Sequence, residues 1–259
     1  MELVRHERIL CWNSAYKQDR SANNANCTVH YSTHGSLDNT HGVRCKSVTL
    51  TNLFPNVYGM HASLWIDNGG LTEISFEEQD VQSTAALDAL LQAAIQAVVG
   101  GTVTVTTTAN IMTITSTNPF TILKPNEVYE QTGNVVSMNE LIGHDPNHTS
   151  TTTPYTFNYK VNLIGPRICR VYSTNICSSN SIHPNVDIGD AIATLSLHDV
   201  AHGACKTHHV SEAENNKHLF PDYRNINSIQ VRLKDEFEQQ LSLPPNAHLE
   251  LEFIVNSYS

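Results

Sequence analysis

Polar and apolar residues alternate with a period of two along much of the chain. Ser47-Val48-Thr49-Leu50-Thr51-Asn52-Leu53 is one such run and predicts a half-buried strand. Phe54-Pro55-Asn56 ends it, because proline has no amide hydrogen for the ladder. Ser63–Ile66 reads as a second strand, Asp67-Asn68-Gly69-Gly70 as a turn, and Leu71–Phe76 as the returning strand of a hairpin. Val103–Thr108 and Ile111–Thr115 flank Ala109-Asn110 and predict a second hairpin, rich in β-branched residues. Shorter runs predict strands at Phe120–Leu123, Phe157–Leu163, Ile168–Tyr172, Ala191–Leu197, Ile229–Leu233 and Leu249–Ile254.

One segment has a different period. Leu87, Leu90, Leu91, Ala94, Ile95 and Val98 recur at spacings of three and four, which predicts an amphipathic helix over about 83–99. Ser83 or Thr84 can cap its start and Gly100-Gly101 can end it. Gln92 and Gln96 fall on the face opposite the apolar stripe, so the helix is expected to lie on a sheet.

These elements predict a mainly β fold: an antiparallel β-sandwich or jelly roll with one amphipathic helix and long loops. Residues 1–45 read as a polar N-terminal arm or first strand. Residues 46–259 read as one jelly-roll-like β domain with long loop insertions at about 143–156 and 198–225. No repeat of solenoid length is visible.

Composition narrows the function classes. The 259 residues are 40% hydrophobic and only 15% charged. Thr (25), Asn (25) and Ser (21) take the place of charge. Fifteen Lys and Arg against 25 Asp and Glu give a formal charge of −10, so direct nucleic-acid binding is not expected, since it requires clustered cations. No segment has the apolar length of a membrane span, and the charged first ten residues do not read as an export signal. The six scattered cysteines are therefore expected to be free, buried thiols, and the sequons at Asn26 and Asn147 carry little weight. Fourteen histidines could make an interface pH-sensitive; exposed, unlinked rings are the simpler reading.

Candidate chemistry is sparse. His198, His202, Cys205 and His208 have ligand chemistry and spacings of three or four. No paired C-x-x-C or H-E-x-x-H accompanies them, and the segment is read as a polar loop rather than a metal site. Glu73, Glu77, Glu78 and Asp80 form an acidic cluster, read as a solvated face rather than a carboxylate pair for glycoside hydrolysis. Nucleophile elbows and phosphate-binding glycine loops are absent. No catalytic residue and no cofactor is expected.

The order of features resembles one family. The strand-and-proline turn Val48–Tyr58, the hairpin and the helix are followed by Val161-Asn162-Leu163-Ile164-Gly165-Pro166-Arg167, then by Ile226–Asp235 and a final alternating strand. N-L-x-G-P-R and I-x-V-R-L-x-D are the most specific stretches. Over residues 46–255 this resembles the minor capsid and penton-like jelly-roll proteins of icosahedral double-stranded DNA viruses whose major capsid protein is a double jelly roll: large algal and amoebal viruses, virophages and Polinton-like elements. Glu77-Glu78-Gln79-Asp80-Val81 and Glu236-Phe237 depart from the family pattern, the second where a turn glycine is expected. The resemblance implies a structural virion protein, assembled in the host cell, that bridges or stabilises the major capsid lattice. Its partners would be the major capsid protein, other minor capsid proteins and its own copies, five if it is a penton. The alternative is a glycan- or receptor-binding β-sandwich of the fibre or lectin type, which uses the same scaffold.

Overall fold

The alternating segments form antiparallel strands, in a computed structural model that describes residues 5–16, 26–30, 37–144, 154–173, 176, 191–210, 218–226 and 228–258. In chain order, β1 (Arg5–Asn13), β2 (Asn26–His30) and β3 (Leu37–Thr51) come first. Then follow β4 (Ser63–Asp67), β5 (Leu71–Ser75), α1 (Thr84–Val99), β6 (Val103–Thr108), β7 (Ile111–Ser116), β8 (Thr121–Ile122), α2 (Pro125–Thr132), α3 (Asn139–Ile142) and β9 (Tyr155–Lys160). The last six strands are β10 (Ile168–Tyr172), β11 (Ala191–Ser196), β12 (Cys205–His209), β13 (His218–Ile226), β14 (Ser228–Lys234) and β15 (Leu249–Tyr258). The chain divides into two units, Met1–Phe54 with Pro166–Ser259, and the intervening Pro55–Gly165.

In the first unit the pairings are nested. β1 pairs β15, β2 pairs β14, β3 pairs both β12 and β13, and β10 pairs β11. The chain therefore runs as one long two-stranded ribbon, closed at β10–β11. Its strands fall into two sheets, β1-β15-β3-β12 with β13 beside β3, and β11-β10-β14-β2. A ribbon rolled in this way into two sheets is a jelly roll. Val48, Leu50, Leu251 and Phe253 of the first sheet and Val171, Ile229, Val231 and Leu233 of the second are fully buried.

A bulge keeps β3 in phase with this core. Glu252 pairs Ser47 while Phe253 pairs Cys45, so Lys46 is an extra residue. Val43 and Cys45 are buried before it, and Val48 and Leu50 after it. Without the extra residue one of these pairs would face the wrong side.

The second unit holds sheets β5-β4-β8 and β6-β7-β9 with the three helices. Its core gathers Leu64, Ile66, Leu87, Leu91, Ile95, Met112, Ile114 and Phe157, among others of the same unit. Asn56 ties the two ends of the unit together. Its amide donates to the carbonyls of Val81 and Leu163, both at 2.9 Å, and its oxygen accepts the Val81 amide at 2.9 Å. Ser83 caps α1 by accepting the Ala86 amide at 3.2 Å, and Gly100 ends the helix with φ 71°.

The polar residues of α1, expected on the face opposite the apolar stripe, turn instead toward the edge of β6. Gln96, Gln92 and Asp88 accept the backbone amides of Val103, Val105 and Thr107 at 3.4, 3.2 and 2.8 Å. The second carboxylate oxygen of Asp88 takes the Thr107 hydroxyl at 2.6 Å. Four helical residues rise about 6.0 Å and two strand residues about 6.7 Å. A polar stripe at i, i+4 and i+8 therefore stays in register with alternate amides of a strand edge.

Other expectations are also revised. The polar start contributes β1, β2 and the first part of β3, so the boundary at 45/46 falls inside a strand. The segment expected as a loop at 198–225 contains β12 and β13. β12 has no aliphatic residue; it lies at a sheet edge and is held by its backbone pairing to β3. α2 and α3 were not expected: Phe120–Leu123 shrinks to β8, and Leu141-Ile142 lies in α3. Most of the expected loop at 143–156 lies outside the described residues; β9 begins at Tyr155. No helix among the described residues is long and apolar enough to cross a membrane.

Candidate functional site

The four candidate metal ligands do not form a group. His198 follows β11 and its Nδ1 contacts the Ser196 hydroxyl. Asp199 pairs with Lys206 at 2.7 Å, and that hydrogen bond holds its carboxyl below the usual range. Along β12 the side chains alternate, which puts Cys205 and His208 on opposite faces. Cys205 lies beside the Thr51 hydroxyl at 3.3 Å. Among the described residues no three His, Cys, Asp or Glu side chains stand where they could share a metal ion.

The acidic cluster is likewise dispersed. Glu73 accepts the Ser63 hydroxyl across the β4–β5 hairpin at 2.6 Å, while Asp80 accepts the side-chain amide of Gln82 at 3.2 Å. Cys45 and Cys169 are reduced and buried, as expected; Cys11 and Cys205 are exposed, which departs from the expectation. Burial pushes the Cys45 thiol up to about 12 and raises that of Cys169 as well. The side chains of Cys27 and Cys177, and the sequon at Asn147, lie outside the described residues.

The best-built polar cluster stands at the turn after β14. Lys234 bridges to Gln240, and Asp235 accepts the amides of Phe237 and Gln239, both at 2.8 Å. Glu238 sits in this turn at φ 63°, the left-handed region. Its carboxylate meets Arg170 at 2.5 Å, Lys234 at 3.2 Å and the Tyr172 hydroxyl at 2.9 and 3.0 Å. Lys234 also lies 4.8 Å from the centre of the Tyr172 ring. Partial burial acts to raise the Glu238 pKa, but the hydrogen bonds from Tyr172, Lys234 and Arg170 outweigh it and hold the carboxyl low. Burial and then the neighbouring carboxylate push the Tyr172 phenol up. The arrangement is a clamp of two cations and one carboxylate.

Sequence reasoning did not single out this clamp. Arg170 and Tyr172 share a face of β10 at i, i+2, and Lys234 and Glu238 are four residues apart. Both spacings were readable; their meeting needed the β10–β14 pairing. The same turn joins the two family-like stretches. Glu236 accepts the amides of Arg167 and Ile168 at 3.4 and 3.3 Å, so N-L-x-G-P-R and I-x-V-R-L-x-D meet where each ends.

No protein-family model matches the chain, and no curated protein matches it. Solved structures similar to the chain across nearly its full length include two from virophages. One is the crystal structure of the SeMet-labelled mavirus penton protein, at 11% identity, with 99% of this chain and 100% of that chain covered and a TM-score of 0.49. The other is the 3.5 Å cryo-EM structure of the Sputnik virophage, at 11% identity, with 99% and 98% covered and a TM-score of 0.32.

Proposed function

We propose that the chain is a structural protein of an icosahedral viral shell, a minor capsid or penton component that bridges or stabilises the major capsid lattice. The observation that carries this reading is the nested pairing of β1 with β15, β2 with β14, β3 with β12 and β13, and β10 with β11. It makes the first unit a jelly roll, an architecture that capsid subunits use to present rigid sides to their neighbours. The meeting of the two family-like stretches at Glu236 supports the sequence resemblance, because it gives both one structural reason to occur together.

On this reading the jelly roll packs into the shell, and Pro55–Gly165 is a module inserted between β3 and β10. The partners are the major capsid protein, other minor capsid proteins and copies of the chain itself. Copies placed around a five-fold axis meet through heterologous interfaces that close into a ring. The chain works by contact, without catalysis or a cofactor. Native mass spectrometry of the purified chain tests this: a closed ring, five-membered for a penton, is expected. A chain that stays monomeric at every concentration and is retained by a glycan array would overturn the reading in favour of a ligand-binding module.

A further inference from the structure

Between Asp88 and Lys124 the chain contains no Asp, Glu, Lys, Arg or His. That span holds β6, VTVTTT, and β7, IMTITS, both uncharged, rich in β-branched residues and free of proline. Segments of this composition pair readily with copies of themselves. Exposed edges in other sheets usually carry a charge, often lysine, that blocks such pairing. β6 has no such charge. β7 covers one of its edges, and it is the end strand of the β6-β7-β9 sheet. The amides of Val103, Val105 and Thr107 on its other edge are taken by Gln96, Gln92 and Asp88 of α1.

We propose that Asp88, Gln92 and Gln96 form an edge guard, whose acceptors keep β6 from pairing, as an antiparallel strand, with the β6 of a second copy of this chain. The occupant follows from the segment itself. An uncharged run of alternating Val and Thr is complementary to itself about a two-fold axis, and the guarded amides are the ones a new strand would use. Asp88 anchors the end of the guard through both the amide and the hydroxyl of Thr107. The proposal stands whether or not the chain is a shell protein.

The test uses the full chain in three forms. Asp88→Ala/Gln92→Ala/Gln96→Ala removes the guard; Gln92→Leu removes its middle acceptor and keeps the side chain's bulk; Asp88→Asn keeps an acceptor oxygen. Sedimentation velocity over a concentration series reads association beyond the wild-type state, and hydrogen exchange reads the amides of Val103, Val105 and Thr107. The triple variant is expected to self-associate roughly tenfold more tightly than wild type, with those three amides more protected as concentration rises. Gln92→Leu shifts the same way by less, and Asp88→Asn sediments as wild type. Should the triple variant lose α1, Gln92→Leu decides alone. The proposal is overturned if the folded guard variants associate no more than wild type, or if Asp88→Asn associates as strongly as they do.

Discussion

The indole Nε1 of Trp12 donates to the carbonyl of Ile229 at 3.0 Å. Trp12 lies on β1, in the first sheet of the jelly roll, and Ile229 on β14, in the second. Both are fully buried. One hydrogen bond therefore spans the sandwich between residues 217 positions apart, and it ties the polar start of the chain to the core. Trp12→Phe keeps most of the apolar bulk and leaves the Ile229 carbonyl without this donor. A cost of about 2 kcal/mol is expected from the unpaired buried group and lost volume, read as a lower denaturation midpoint in urea. A variant as stable as wild type would mean that β1 is not part of the cooperative fold.

Glu238 makes a prediction with a definite sign. Its folded pKa lies below the ordinary value of 4.5. The stabilisation it brings is therefore complete above that value and is lost as pH falls through the folded pKa. Glu238→Gln should be less stable than wild type near neutrality, by about 1–2 kcal/mol for hydrogen bonds to a charged group. The gap should close below pH 4.5. Denaturation midpoints at several pH values check this; a gap that widens in acid contradicts it.

The same residue separates backbone from side chain. Ala at φ 63° meets the left-handed penalty and glycine does not. Glu238→Gly should therefore be less destabilising than Glu238→Ala, by about 1 kcal/mol. Both lose the clamp, so equal midpoints for the two would argue that the turn relaxes away from this conformation.

Ala109 and Asn110 adopt φ 52° and 65°, the two positive values of a type I′ hairpin turn. Asparagine is at ease there and alanine is not. Ala109→Gly is expected to raise the stability of the second unit by about 0.5–1 kcal/mol. A drop in thermal midpoint would contradict the turn assignment.

The thiols should separate by burial. Thiolate is the reactive form, and burial pushes Cys45 up to about 12. Iodoacetamide under native conditions, followed by peptide mapping, should label Cys205 well before Cys45 or Cys169. Prompt labelling of Cys169 would mean that the β10 core opens readily.

How much of this was readable in the sequence depends on where each signal lies. The helix and both hairpins stood out because their patterns are local: Leu87, Leu91 and Ile95 at i+4, Gly69-Gly70 in a turn, Val103–Thr108 alternating. The start of β3 was missed for a physical reason. The bulge at Lys46 shifts the inward phase from Val43 and Cys45 to Val48 and Leu50, so the unbroken alternation starts only after it. β12 carries no aliphatic residue and none of its residues is buried, so no hydrophobic alternation marks it in the sequence. α2 was legible in hindsight: Pro125 at its first turn, Glu127 accepting the Lys124 amide at 3.2 Å, and Gly133 at φ 78° after its end. The Glu238 clamp and the Asp88–Thr107 contact depend on pairings distant in sequence, and side-chain type alone does not announce them. The turn glycine expected near Glu236-Phe237 has a counterpart: the left-handed position exists two residues on, occupied by Glu238.

The most direct measurement of the shell role is a symmetric cryo-EM reconstruction of purified particles from cells that make this chain, with its copy number quantified against the major capsid protein. The account predicts density for the nested jelly roll at fixed lattice positions and a constant ratio between preparations, with five copies around each occupied vertex if the chain is a penton. Complete, stable particles that contain no copy of the chain would contradict it.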